Sequence, residues 1–227
     1  MVILAIGGVG RPVRALDPGE NETWVTVEQF ERVLDAVTGC EDVGLTFDDG
    51  NSSDVEIVLP KLLERDLTAE FFPLAGRIGQ RGFVDADGLR ELVEAGMTIG
   101  SHGWEHRDWR RLDDRHAQRE LEVAPRLLAD LSGKPVRAYV PPFGAYDRRV
   151  LSRLRRSGAT RIYTTEGGAT SRDGLLRPRT KVRYDVDQEW IDGVLADRAG
   201  LYRRAGRVLA RVSRLVHRPG LTEPRDV

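Results

Sequence analysis

Two short segments of this chain hold side chains suited to more than packing. The first is Thr46-Phe47-Asp48-Asp49-Gly50, and the second is Gly100-Ser101-His102-Gly103-Trp104-Glu105-His106. Adjacent carboxylates repel and raise one another's pKa unless a cation meets them. Asp48 and Asp49 therefore fit a metal site, or a helix cap with one aspartate in water. By themselves they do not separate the two. Two of the chain's 4 histidines stand in one pentapeptide at i and i+4. If residues 102–106 form a helical turn, both imidazoles share one face, as a metal ion requires. An aspartate with two histidines and an open coordination position is a catalytic rather than a closed structural site. A divalent cation held there lowers the pKa of its water, and a second carboxylate can take the proton during attack on a carbonyl.

Both segments follow apolar runs, so the elements that position them can be read. Short runs at Val2–Ile6, Val43–Phe47, Ala69–Leu74, Met97–Ser101, Val136–Val140, Arg161–Thr164 and Thr180–Tyr184 read as strands. Several are apolar at successive positions, as expected of strands covered on both faces. Helical stripes lie between them. Phe30, Val33, Leu34 and Val37 follow a Thr26-x-x-Gln29 capping box. Val55, Val58, Leu59, Leu62 and Leu63 follow Ser53-x-x-Glu56, with Pro60 expected to kink that helix. Asp147 should cap a helix carrying Val150, Leu151 and Leu154 that stops near Gly158. Strands alternating with helices predict an α/β fold with a parallel sheet. Seven strands are one short of the regular eightfold barrel, so a distorted, incompletely closed (β/α) barrel of about seven parallel strands is expected. In such folds the C-terminal strand ends converge on one face, where active sites lie.

Composition fits one globular domain over residues 1–227. The 227 residues are 40% hydrophobic and 31% charged, ordinary for a globular chain. Thirty-five basic residues against 36 acidic ones leave a net charge of −1, without the basic excess of a nucleic-acid binder. A single cysteine, Cys40, excludes an internal disulfide or a multi-cysteine zinc cluster. The N-terminal apolar run is too short for a signal peptide, and no stretch approaches a membrane span, so the expected location is cytoplasmic. A basic helical segment is expected at about 187–218, with seven arginines and no acid between Arg198 and Arg218. Its ordinary reading is a solvated face; the alternative is peripheral contact with an anionic membrane or a partner.

With these residues in place, the chain resembles the polysaccharide deacetylases of carbohydrate esterase family 4. Thr46-Phe47-Asp48-Asp49-Gly50 matches their T-F-D-D-G motif, and His102 to His106 match H-S/T-x-x-H, in the same order and separation. The βα pattern carries the resemblance over roughly residues 1–185. It implies a distorted (β/α) barrel, with Asp48 as catalytic base and Asp49, His102 and His106 as ligands of one divalent metal ion. It also implies Pro142, Phe143 and Gly144 as substrate contacts, and hydrolysis of an N-acyl, normally N-acetyl, group on an aminosugar or its conjugate. Zinc suits the donor set, and cobalt or manganese could occupy it.

The chain departs from the family pattern in four places. Gly103 stands where Ser or Thr is usual. Val140-Pro141-Pro142-Phe143-Gly144 replaces R-x-P-x-G, so the arginine that orients the base is missing there. The L-x-H motif, whose histidine acts as general acid, is reduced to Leu175-Leu176-Arg177. Thr164-Thr165-Glu166-Gly167-Gly168 replaces the tryptophan-bearing motif. The leaving amine still needs a proton; Asp48 returning the one it took is the expected source, with Glu166 or solvent as the others. Two other functions fit fewer residues. A catalytically impaired carbohydrate-binding barrel would explain the missing arginine and acid. A zinc peptidase of the H-x-x-E-H type would use Glu105 but leaves the two aspartates unexplained. The Gly7-Gly8-Val9-Gly10 turn lacks the third glycine of a dinucleotide loop.

Overall fold

The structure, a computed structural model, describes residues 1–196. The basic segment expected at about 187–218 therefore lies mostly outside the described residues. In chain order the elements are β1 (Val2–Ile6), β2 (Gly8–Val9), β3 (Trp24–Val25), α1 (Val27–Val37), β4 (Val43–Asp49), α2 (Leu59–Leu63), β5 (Ala69–Pro73), α3 (Ala86–Glu94) and β6 (Thr98–Ile99). They continue as α4 (Asp114–Gln118), α5 (Ala124–Ser132), β7 (Ala138–Tyr139), α6 (Arg148–Arg156), β8 (Arg161–Thr164), β9 (Leu176–Pro178), β10 (Thr180–Lys181) and α7 (Gln188–Ala196).

The fold is α/β, and its described strands pair in parallel. One sheet has the order β10-β1-β4-β5-β6, a second β7-β8-β9, and β2 and β3 form a small third. A lone parallel bridge from Ser101 to Tyr139 links the end of β6 to β7. The expectation of seven strands is thus replaced by ten among the described residues. The extra ones, β2, β3 and β9, are two or three residues long, too short to leave a periodic signature. The expected Thr180–Tyr184 strand shrinks to β10.

Both sheet faces are covered, and side-chain alternation sorts the strand residues among three clusters, one of them formed by Tyr139 and Ile162 of the second sheet with Leu121, Tyr146, Val150 and Leu154. Val2, Leu4 and Ile6 of β1, with Phe47 and Phe71, join Phe30, Leu34, Leu59, Leu89 and Leu128 in the outer core against the helices. Ile3, Phe72, Ala138, Val140 and Tyr163 point the other way and fill the space between the two larger sheets. Phe47 stacks on Phe71 at 4.9 Å and meets Phe30 edge-on at 5.8 Å, tying α1 to the sheet. Each such fully buried ring contributes about 1.5–3 kcal/mol.

Helix ends follow the expected chemistry in two of three cases. The capping box at Thr26 and Gln29 is present on α1, and Asp147 accepts a bond from the Val150 amide at the start of α6. Ser53 makes no capping bond. Instead the chain enters a π-helical turn at Asp54–Val58 before α2, of which Pro60 is the second residue. Pro60 there occupies the first turn, where its missing N–H costs least.

Candidate active site

Alternation along β4 places Thr46 and Asp48 on the inner face, at the C-terminal end of the sheet. There the Asp48 carboxylate meets a residue 131 positions further along the chain. Arg179, between β9 and β10, donates from Nη1 to Asp48 Oδ1 at 2.7 Å and from Nη2 to Oδ2 at 2.8 Å. Nη1 also reaches Thr46 Oγ1 at 3.0 Å, whose own hydroxyl donates to the Leu4 carbonyl. The Arg179 side chain is fully buried and lies 5.8 Å from the ring centres of both Phe72 and Tyr163. The fork matches a carboxylate in two parallel bonds, the geometry that repays the desolvation of both charges. Burial by itself would raise the Asp48 pKa, but the Arg179 charge and its hydrogen bonds outweigh it and hold the carboxyl below its ordinary range.

Regular alternation would send Asp49 to the outer face. Its backbone is left-handed instead, with φ of 71°, a conformation that costs a non-glycine residue about 1–2 kcal/mol. The turn re-aims Asp49 into the pocket beside the histidines. Ligand atoms of Asp49, His102 and His106 all lie within 4.8 Å of one another. Asp49 Oδ1 stands 3.6 Å from His102 Nε2 and 4.0 Å from His106 Nε2. His102 Nδ1 lies 2.7 Å from the Val140 carbonyl; donating to that oxygen leaves Nε2 as the ring's lone-pair nitrogen. Burial, and next the neighbouring His102, push His106 down to about 4, so its imidazole is neutral. Burial, reinforced by Asp48, pushes the Asp49 carboxyl up to about 6 although His106 opposes this. A crowded carboxylate beside two neutral imidazoles is short of positive charge, and the donor set fits a divalent cation.

The approach of the histidines differs from expectation. Residues 102–106 do not form a helical turn; they make an irregular loop in which Gly103 has φ of 89° and His106 has φ of 58°. The loop is folded around the carboxylate of Glu120, which is buried. Glu120 accepts from the amides of Trp104 at 2.7 Å and Glu105 at 3.0 Å, and from Trp109 Nε1 at 3.3 Å. A Cβ on residue 103 would stand 2.1 Å from Glu120 Oε2. Glycine is required for space and for backbone, which accounts for the departure from Ser or Thr. Glu105 is engaged by Arg107 and Arg119. A peptidase motif of the H-x-x-E-H type needs a helix here, and there is none.

A pocket of about 470 Å³ encloses these groups, lined also by Ala5, Asp17, Glu20, Phe143, Gly144, Thr165 and Lys181. Of the three expected substrate contacts, Phe143 and Gly144 line it, whereas Pro142 is buried beneath and its neighbour Pro141 takes that place. Phe143 is 61% exposed in a left-handed conformation, with its ring 4.4 Å from that of His106. An exposed aromatic held in strain at a pocket rim is arranged for contact. Glu166 is not among the lining residues; Tyr146 donates to its Oε1 at 2.7 Å. A larger cleft of about 670 Å³ opens between α4, α5 and α6, but among the described residues it gathers no metal-ligating cluster.

Behind the site lies Asp54. It is buried, its carboxylate oxygens have no hydrogen-bond partner among the described residues, and burial, then Asp49 and Asp48, push its pKa well up. Sequence reasoning missed Arg179, Glu120 and Lys181. Only the alternation Arg179-x-Lys181 beside an apolar run carried any signal that both side chains face one way.

Comparison with known proteins covers the same part of the chain. The family model for polysaccharide deacetylases matches residues 35–162, the stretch holding both aspartates and both histidines. Chitin deacetylase 1 of Saccharomyces cerevisiae is 31% identical over 128 residues, 56% of this chain and 40% of its own. Chitin deacetylase 1 of Cryptococcus neoformans var. grubii is 26% identical over 193 residues, 84% of this chain and 38% of its own. The chain thus spans less than half the length of either relative. The solved structure of the Streptococcus pyogenes deacetylase PplD, in complex with acetate, superposes with a TM-score of 0.73 at 19% identity, covering 87% of this chain and 97% of that one. The fold is shared with that enzyme, and by its sequence the chain belongs to the polysaccharide deacetylase family.

Proposed function

We propose that this chain is a metal-dependent hydrolase that removes an N-acyl group, normally N-acetyl, from an aminosugar or aminosugar conjugate. Its frame is read as a distorted, incompletely closed (β/α) barrel, in which β6 meets β7 through one bridge and β9 leads directly into β10. The observation that carries the reading is the juxtaposition, in one pocket, of the Asp49-His102-His106 cluster with an Asp48 clamped by Arg179.

Asp49, His102 and His106 would hold one divalent cation, zinc by donor type, with cobalt or manganese able to substitute. When bound, such an ion lowers the pKa of a water and polarises a carbonyl. The chain supplies the rest. Asp48 is ionised at neutral pH and accepts the proton of the attacking water, and Arg179 fixes its orientation. That clamp supplies from elsewhere in the chain the arginine missing before Pro141, and it speaks for catalysis over the impaired, carbohydrate-binding reading. Phe143 and Gly144 contact the sugar at the rim.

The test is acetate release from a panel of N-acetylated sugars, headed by penta-N-acetylchitopentaose, with metal added back to chelated protein. Metal-dependent release supports the reading. Saturable sugar binding without release under every metal supports the impaired, binding-only barrel.

A further inference from the structure

Cleavage of an amide needs a proton for the departing nitrogen, and no histidine stands where the family pattern would place an acid. The titratable side chains lining the pocket can be sorted by what already engages them. Asp17 pairs with Arg77 and Glu20 with Arg14. Asp48 is held by Arg179, and Asp49, His102 and His106 form the candidate metal cluster. Glu105 is bound by Arg107 and Arg119. Lys181 is left. It lines the same pocket, and among the described residues no hydrogen bond or ion pair engages its ammonium.

Strand geometry shows why Lys181, itself exposed to solvent, lies on the pocket side of the sheet. Lys181 is in register with Ala5 of β1, a lining residue on the face opposite the buried Leu4 and Ile6. Arg179, two residues earlier, points to Asp48 on the same face, whereas Val182 belongs to the outer core. Alternation places Lys181 one step beyond Arg179 along the strand direction, toward the C-terminal strand ends and the pocket mouth. Its charge is near enough to count among those acting on Asp48 and His102.

Resting on the deacetylase reading, we propose that Lys181 is a catalytic residue, the proton donor to the leaving amine. Asp48 takes one proton from water as the new C–O bond forms. On collapse of the tetrahedral adduct the C–N electron pair goes to nitrogen, which takes a proton from the Lys181 ammonium. Asp48 then releases its proton to solvent and Lys181 regains one. The sum is one water consumed, with one free amine and one carboxylic acid formed. This role displaces the earlier expectations of an Asp48 shuttle and of Glu166, which is not among the residues lining the pocket.

An acid matters only when the leaving group needs a proton, so two probes separate its role from structure and from binding. On penta-N-acetylchitopentaose, Lys181→Met should lower kcat by about 10² or more, with KM within about threefold. On 4-nitrophenyl acetate, whose phenolate leaves unaided, the same variant should stay within about threefold of the parent. Lys181→Arg keeps the charge but cannot give up a proton, and should be as slow on the amide as Lys181→Met. Retained amide turnover in Lys181→Met, equal losses on both probes, or restoration by Arg would each overturn the assignment. A parent enzyme that cleaves the ester but no N-acetylated sugar in the panel would overturn the deacetylase reading first, and this role with it.

Discussion

The ligand side of the pocket and the side facing Asp48 are assembled in contrasting ways. Asp49, His102 and His106 come from two short contiguous segments, each at a strand end, and the register between β4, β5 and β6 brings them together. The groups opposite come from the Pro141–Gly144 turn and from the link between β9 and β10, where Arg179 stands 131 residues beyond Asp48. On the first side, local spacing nearly dictates the function. On the second, a fully buried arginine clamps Asp48, and only the pairing of β10 with β1 brings it there. On the proposed reading, the ligand geometry stays in fixed motifs while the residue that orients the base comes from another part of the fold, its side chain reaching the Asp48 carboxylate from there.

Arg179 gives the sharpest way to break this comparison. Arg179→Met leaves a carboxylate buried without its counter-charge, a change that costs about 3–5 kcal/mol in buried pairs. Because the Asp48 side chain keeps 16% exposure, the lower end, about 3 kcal/mol, is expected from denaturant unfolding. Loss of deacetylation should accompany it. A variant as stable and active as the parent would remove Arg179 from the site's design.

Asp48→Asn keeps one acceptor for Arg179 and keeps the ligand side intact. It should retain metal while kcat falls by about 10² or more, the usual contribution of a general base. Loss of metal in this variant would require the roles of Asp48 and Asp49 to be exchanged.

The smallest effect concerns Asp54, behind both halves. Its folded pKa is raised, so the native state holds a proton that the unfolded chain releases as pH rises, and stability falls across that window. Asp54→Asn removes this cost. At neutral pH its Tm should rise by at least about 2 °C, the shift that ~1 kcal/mol gives in a domain of this size. Below the ordinary aspartate range near pH 4 the gain should vanish. A Tm gain unchanged at low pH would point to packing instead.

How much of this was legible follows the same division. Long runs such as β1, β4 and β5 declared themselves because both faces are buried; β2, β3 and β9 did not, being too short to show a period. The i, i+4 histidines were recognised for a partly mistaken reason. Their loop is held by Glu120 and by left-handed backbone at Gly103, not by a helical turn, and a buried glutamate inside a helical pattern offers no local sign of that task. Gly103 read as a blemish on the motif until its missing Cβ was found to make room for Glu120. Arg179 and Lys181 depend on pairing between β1 and β10, strands far apart in sequence, which no local window contains.

The central claim is that Asp49, His102 and His106 bind one catalytic divalent ion, and metal stoichiometry tests it most directly. Chelated protein dialysed against zinc and analysed by inductively coupled plasma mass spectrometry should hold one ion per chain. His102→Ala and His106→Ala should each hold none above background while keeping the parent's circular dichroism spectrum. Full occupancy in both folded variants would contradict the account.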